Sequence, residues 1–99
     1  MLIELKERIL SNSFVDKVRT HLNFDDEEYQ QLRMALIELA KSLQGSSVID
    51  RELMIYLYSA PMIVRNSYES YPEKSDKIAQ QLEDAWIELD RLVLECLVD

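Results

Sequence analysis

The side chains able to do chemistry are few in kind. Histidine and cysteine each occur once, as His21 and Cys96, and the single glycine is Gly45. One imidazole and one thiolate cannot complete a zinc site of ordinary ligand type. A di-iron bundle needs a Glu-x-x-His pair on each of two helices, which this chain lacks. A lone glycine also rules out a glycine-rich phosphate loop. His21 falls near a helix end, where a surface or capping role is expected. Cys96 falls on an apolar seam with no neighbour in sequence to lower its pKa, so a buried, inert thiol is expected. Carboxylates are abundant, and all of them fit exposed helix faces. The residues therefore predict a protein that is not an enzyme and uses no metal or cofactor.

What remains is the chemistry of contact. Residues 73–99 carry eight acids (73, 76, 83, 84, 88, 90, 95, 99) against three bases (74, 77, 91), a net of −5, and residues 25–28 add −4. Helix capping and compensation of the helix dipole account for residues 25–28. In the last helix the acids run past the first turn, and there a basic partner surface would be steered in. Ile87 and Leu94 lie opposite the Leu82–Leu89–Cys96 seam, with Val98 one turn further on. Glu83, Asp84, Asp90 and Arg91 are their helical neighbours. An apolar pair rimmed by charge is the composition of a contact patch; a last helix wedged between two others would bury both stripes instead. Four of the five tyrosines, Tyr56, Tyr58, Tyr68 and Tyr71, fall within sixteen residues. Tyr56 and Tyr58 are expected in the core, whereas Tyr68 and Tyr71 sit on a polar segment suited to a binding surface. The expected partner-binding residues are Glu83, Asp84, Ile87, Asp90 and Leu94, with Tyr68 and Tyr71 second.

The elements that position these residues read as helices throughout. In 99 residues there are one glycine and two prolines, 47% hydrophobic and 30% charged residues. That composition predicts an all-α single domain, a small antiparallel bundle of four helices, over residues 1–99. Leu2, Leu5 and Ile9 have helical spacing, and after Ser11-Asn12-Ser13 a further apolar set follows at Phe14, Val15, Val18 and Leu22. This fits either one bent helix or two pieces, the second capped by Ser13 with Asp16 in the box position. Asp25 and Glu28 have capping-box spacing, with Phe24 and Tyr29 placed as a hydrophobic staple. Tyr29, Leu32, Leu36, Leu39 and Leu43 then define a helix over about 26–44, stopped by Gly45.

The stretch from Leu53 to Val64 has no charged residue. It is too short to span a membrane and reads as a helix apolar on every side, hence buried by its neighbours. Ser46 or Ser47 is the expected cap. Pro61 predicts a kink, or a stop near Ser59 and a restart. Tyr71-Pro72 ends the polar continuation, because the residue before proline avoids the helical region. Ser75 could cap the last helix, whose seam is Ile78, Leu82, Ala85, Leu89, Leu92 and Cys96, widened by Trp86 and Val93.

The net charge of −8 opposes binding to nucleic acid and to anionic membranes. The first residues show no basic segment followed by an apolar run, so no secretory leader is expected, and one cysteine suits a reducing, cytoplasmic location. The expected function is that of an acidic helical module binding a partner protein with a basic surface, as inhibitors and immunity-type proteins do when carboxylates stand in for phosphates. The alternative is an assembly subunit, a homodimer through Ile87, Leu94 and Val98 in which acidity only maintains solubility.

Overall fold

A computed structural model describes residues 2–44 and 49–97, with Leu2 described by its backbone alone. Five helices follow one another: α1 (Leu2–Leu10), α2 (Phe14–His21), α3 (Asp26–Leu43), α4 (Arg51–Ser70) and α5 (Lys77–Leu97). They fill four bundle positions, because α1 and α2 are two pieces of one layer. α1 packs mainly on α3 and α2 mainly on α4, while α5 lies between α3 and α4. The all-α bundle expected from composition is what forms. Val98, Gly45 and the proposed caps Ser46 and Ser47 lie outside the described residues.

The break between α1 and α2 has a local cause different from the one the sequence suggests. Ser13 makes no side-chain cap. The Asn12 carboxamide instead accepts from the Phe14 amide at 3.0 Å, and Ser13 gives both its amide and its hydroxyl to Glu28, at 2.9 and 2.6 Å. Glu28 therefore ties α2 to α3 and does not close a reciprocal capping box. The other half of that box is present: Asp25 accepts from the Glu28 amide at 3.1 Å. The staple is present too, with the Phe24 and Tyr29 ring centroids 5.4 Å apart. Phe14 joins them at 5.0 and 4.9 Å, so three rings close this end of the bundle.

In α4 the N-cap is Asp50, whose carboxylate accepts from the Glu52 and Leu53 amides at 2.9 and 3.2 Å. Pro61 neither stops nor restarts the helix, which runs unbroken from Arg51 to Ser70. A proline inside a helix costs about 3 kcal/mol. Here Leu53, Leu57, Ala60, Pro61 and Val64 are all buried, and at about 1.5–3 kcal/mol for each large side chain their burial outweighs that cost. The helix ends where proline requires: Tyr71, the residue before Pro72, is extended with ψ 123°. Ser75 does not cap α5; its hydroxyl donates to Glu73 at 2.8 Å.

The largest departure from expectation is also in α4. The helix is not enclosed on every side. Met54, Ile55, Tyr58 and Met62 are exposed, with Ile55 and Tyr58 each at 62%. Three neighbours, α5, α2 and α1, cover one side of α4 and leave the other open. Of the two tyrosines expected in the core, Tyr58 is instead a surface residue, and Tyr56 is half-buried, packed against the core.

Candidate protein-binding site

Five residues on α5 carried the expectation, and all five are exposed. Ile87 and Leu94 keep 51% and 53% of their surface open. The last helix is therefore not wedged so as to hide both stripes. The structure also divides the set. At 100° per residue, Asp84 falls on the edge of α5 toward α3, Glu83 and Asp90 fall on the edge toward α4, and Ile87 and Leu94 lie outermost.

On the α3 edge is a cleft of about 430 Å³ lined by Phe24, Asp26 and Tyr29 from the start of α3 and by Gln81, Asp84, Ile87, Glu88 and Arg91 from α5. The two acidic segments that are far apart in sequence meet here. Residues 25–28 divide their work. Asp25 caps α3 and pairs with Lys17 at 2.6 Å, and Glu28 is bound by Ser13. Capping therefore explains Asp25 but leaves Asp26 and Glu27 exposed. The Lys17 ammonium and the Glu28 amide together hold the Asp25 carboxyl below its usual range.

Within the cleft Glu88 is satisfied internally. It accepts from the Tyr29 hydroxyl at 2.5 Å and lies 2.9 Å from Arg33 Nε, an ionic contact without hydrogen-bond alignment. Burial opposes ionisation of Glu88, but Tyr29 and Arg33 outweigh it and keep the carboxyl below its ordinary pKa. The same burial and the Glu88 contact push the Tyr29 hydroxyl up. Arg91 is drawn to Glu95 at 2.7 Å. With those pairs matched, Asp26 and Asp84 are the lining charges that have no ion-pair partner among the described residues. They stand beside two aromatic rings and an exposed isoleucine. A guanidinium or ammonium entering the cleft finds two carboxylates among its lining residues beside the Phe24 and Tyr29 side chains, and unpaired carboxylates attract such cations.

On the α4 edge, Tyr58, Pro61, Met62, Arg65, Trp86 and Asp90 line a shallow depression of about 250 Å³. The Arg65 guanidinium lies 5.1 Å over the Trp86 ring. Asp90 has no ion-pair partner among the described residues.

Tyr68 and Tyr71 are half-buried and build the turn between α4 and α5. Lys74 donates to the carbonyls of Tyr68, Glu69 and Tyr71, capping α4, and its ammonium sits 4.5 Å over the Tyr68 ring. The Tyr68 hydroxyl is directed to Glu83, which raises its pKa, and Tyr71 donates to Asp76 at 3.0 Å. Neither tyrosine lines the cleft that Ile87 borders.

Other groups offer less. A groove of about 700 Å³ between α1 and α4 is lined by Ile3, Leu10 and Leu53, and Lys6, the cation among its described lining residues, is already held by Asp50 at 2.9 Å and Glu52 at 3.1 Å. Cys96 is buried against the Leu36 carbonyl at 3.5 Å, and burial pushes its thiol up to about 11. His21 is exposed, with the Thr20 hydroxyl 2.7 Å from Nδ1. No cluster of three His, Cys, Asp or Glu that could hold a metal ion is found among the described residues, and no described helix is long and apolar enough to cross a membrane.

Sequence reasoning missed the cleft's Phe24, Asp26, Tyr29 and Glu88, for which no sequence signal exists without knowing that α3 and α5 are neighbours. It also missed Ile55, Tyr58 and Met62. A signal was present there: Arg51, Ile55, Tyr58, Met62, Arg65 and Glu69 repeat at four and three, a stripe with charge at both ends. Compared with protein-family models, with curated proteins and with solved structures, the chain matches none.

Proposed function

We propose that this chain is a non-enzymatic acidic helical module that binds a partner protein through a basic surface, in the manner of an inhibitor or immunity-type protein. The supporting observation is the convergence of Asp26 and Asp84, from separate acidic segments, on one cleft lined by Phe24 and Tyr29 and bordered by Ile87. Partner arginine or lysine side chains enter the cleft, while Ile87 and Leu94 supply the apolar centre that fixes register. The net charge of −8 steers a basic protein in and repels nucleic acid and anionic lipid. A buried, protonated thiol and an exposed lone histidine fit a role without catalysis. The absence of any cysteine pair suits a cytoplasmic setting.

The test compares the immobilised chain with its Asp26→Asn/Asp84→Asn variant in extract of the native cell, at low and high salt. Proteins retained by the first and lost by the second should carry a basic face and elute as salt rises. Retention of neutral or acidic proteins, indifferent to salt and to both substitutions, refutes the reading.

A further inference from the structure

The exposed face of the α4–α5 hairpin lies on the opposite edge of α5 from the acidic cleft. Ile55, Tyr58 and Met62 of α4 and Leu94 and Leu97 of α5 are all exposed there, between 41% and 62%. The two helices run antiparallel: Arg65 is level with Trp86, and Tyr68 reaches Glu83. Continuing that register sets Tyr58 beside Leu94, and Ile55 beside Leu97, so the apolar side chains form one field across both helices. Helices of 20 and 21 residues are about 30 Å long and pack about 8–10 Å apart. The footprint approaches the ~800 Å² per partner of a standard interface.

The charges on this field show what covers it. α4 contributes Arg51, Arg65 and, at its far end, Glu69, which lies 3.8 Å from Arg65; α5 contributes Glu83 and Asp90. An anionic membrane is opposed by those carboxylates and by the net charge of −8. A second copy is matched. A two-fold axis parallel to the helices lays α4 of one copy along α5 of the other and preserves height. Arg65 of the second copy then stands level with Trp86, one turn from Asp90. That carboxylate lines a depression with Tyr58, Pro61, Met62, Trp86 and its own chain's Arg65, but Arg65 is drawn to Glu69 and forms no ion pair with Asp90 within the chain. A two-fold perpendicular to the helices would stack α4 on α4 and set arginine against arginine.

We infer that the outer face of the α4–α5 hairpin is the seam of a two-fold homodimer in which Arg65 of each copy pairs with Asp90 of the other. The seam completes a four-helix layer and leaves the two acidic clefts on its outer edges; it uses neither Asp26 nor Asp84 and shares Leu94 with the partner-binding reading above.

Sedimentation of the full chain from 1 to 500 µM tests the inference. The wild-type chain should associate to a dimer; a monomer throughout overturns the seam. Arg65→Glu and Asp90→Arg should each weaken association at least tenfold, because each sets like charges together twice. Mixed one to one, the two variants should recover a heterodimer well above either variant alone, since both contacts across the seam are again opposite in sign, although positions 65 and 90 within each chain stay alike in charge. A mixture no tighter than its components overturns the pairing. Tyr58→Lys/Leu94→Lys changes only exposed positions and should yield a folded monomer by circular dichroism; a persisting dimer overturns the seam. Asp26→Asn/Asp84→Asn should leave the dimer unchanged, and its loss there overturns the assignment to this face.

Discussion

Tyr29→Phe removes one oxygen atom from the boundary between α3 and α5, and its effect can be worked from the geometry. The ring is 7% exposed and packs against Phe14 and Phe24; phenylalanine keeps all of that. What is lost is the hydrogen bond from the hydroxyl to Glu88. A hydrogen bond to a charged group contributes about 1.5–3 kcal/mol when buried. The Glu88 side chain is 29% exposed, so water replaces part of the donor, and a loss of about 1–2 kcal/mol is expected. For a domain of this size that lowers Tm by about 5–10 °C. The pH dependence gives the sharper test. Glu88 has a folded pKa below its ordinary value of 4.5, so its contribution is present above that value and is lost as pH falls through the folded pKa. Urea unfolding at pH 7 and at pH 3 should show the Tyr29→Phe deficit shrinking in acid, and a double-mutant cycle with Glu88→Gln should return a coupling of about 1 kcal/mol at pH 7. An equal deficit at both pH values, or a coupling near zero, refutes the assignment.

Three further outcomes follow from burial and backbone geometry. Leu57→Ala, at a fully buried position, should cost about 2–5 kcal/mol, whereas Ile55→Ala two residues away should cost under about 1 kcal/mol; similar costs in urea unfolding would show α4 enclosed after all. Leu22 closes α2 with a positive φ of 50°, a conformation that costs a non-glycine residue about 1 kcal/mol, and it keeps 41% of its surface exposed. Leu22→Gly relieves the backbone cost but loses the covered apolar surface, so stability in the same assay should change by less than about 1 kcal/mol. With its thiol raised to about 11, Cys96 should resist alkylation at pH 8 in the folded chain and react fully in denaturant; rapid labelling of the native protein would contradict its burial.

How far the sequence could be read depended on whether a feature was local. α3 was legible nearly to the residue, since Asp25, Phe24 and Tyr29 act within two turns of one another. The α5 seam was equally plain, because one face at heptad spacing is buried and Cys96 lies on it. Glu28 was misread because its local and distant options compete. The Asp25 amide was available three residues away, yet Ser13 at the start of α2 offered two donors and won. The misreading of α4 has a physical cause. A helix enclosed on all sides needs walls, and the five helices described, two of them under ten residues long, are too few to surround one of their own members. An apolar run therefore signals burial only when enough amphipathic partners exist to cover it; otherwise it signals a face left open.

That count of walls bears on α5 as well, because the one helix borders both proposed surfaces. Asp84 and Asp90 are six residues apart, 600° of rotation, which leaves them about 120° apart around the axis. Asp84 looks toward Asp26, Phe24 and Tyr29; Asp90 looks toward Tyr58, Met62 and Trp86. Two acids of one helix thus have different neighbours, and substitutions separate the roles proposed for them. Asp84→Asn should weaken capture of a basic partner at least fivefold and leave self-association untouched, while Asp90→Arg should do the reverse. Ile87 lies between the two edges and is itself half open, so Ile87→Lys should weaken both. The measurement is sedimentation for the dimer beside salt-resolved binding for the captured partner. If Asp84→Asn and Asp90→Arg impair both equally, α5 has a single contact face, and the division of its acids by helical phase is wrong.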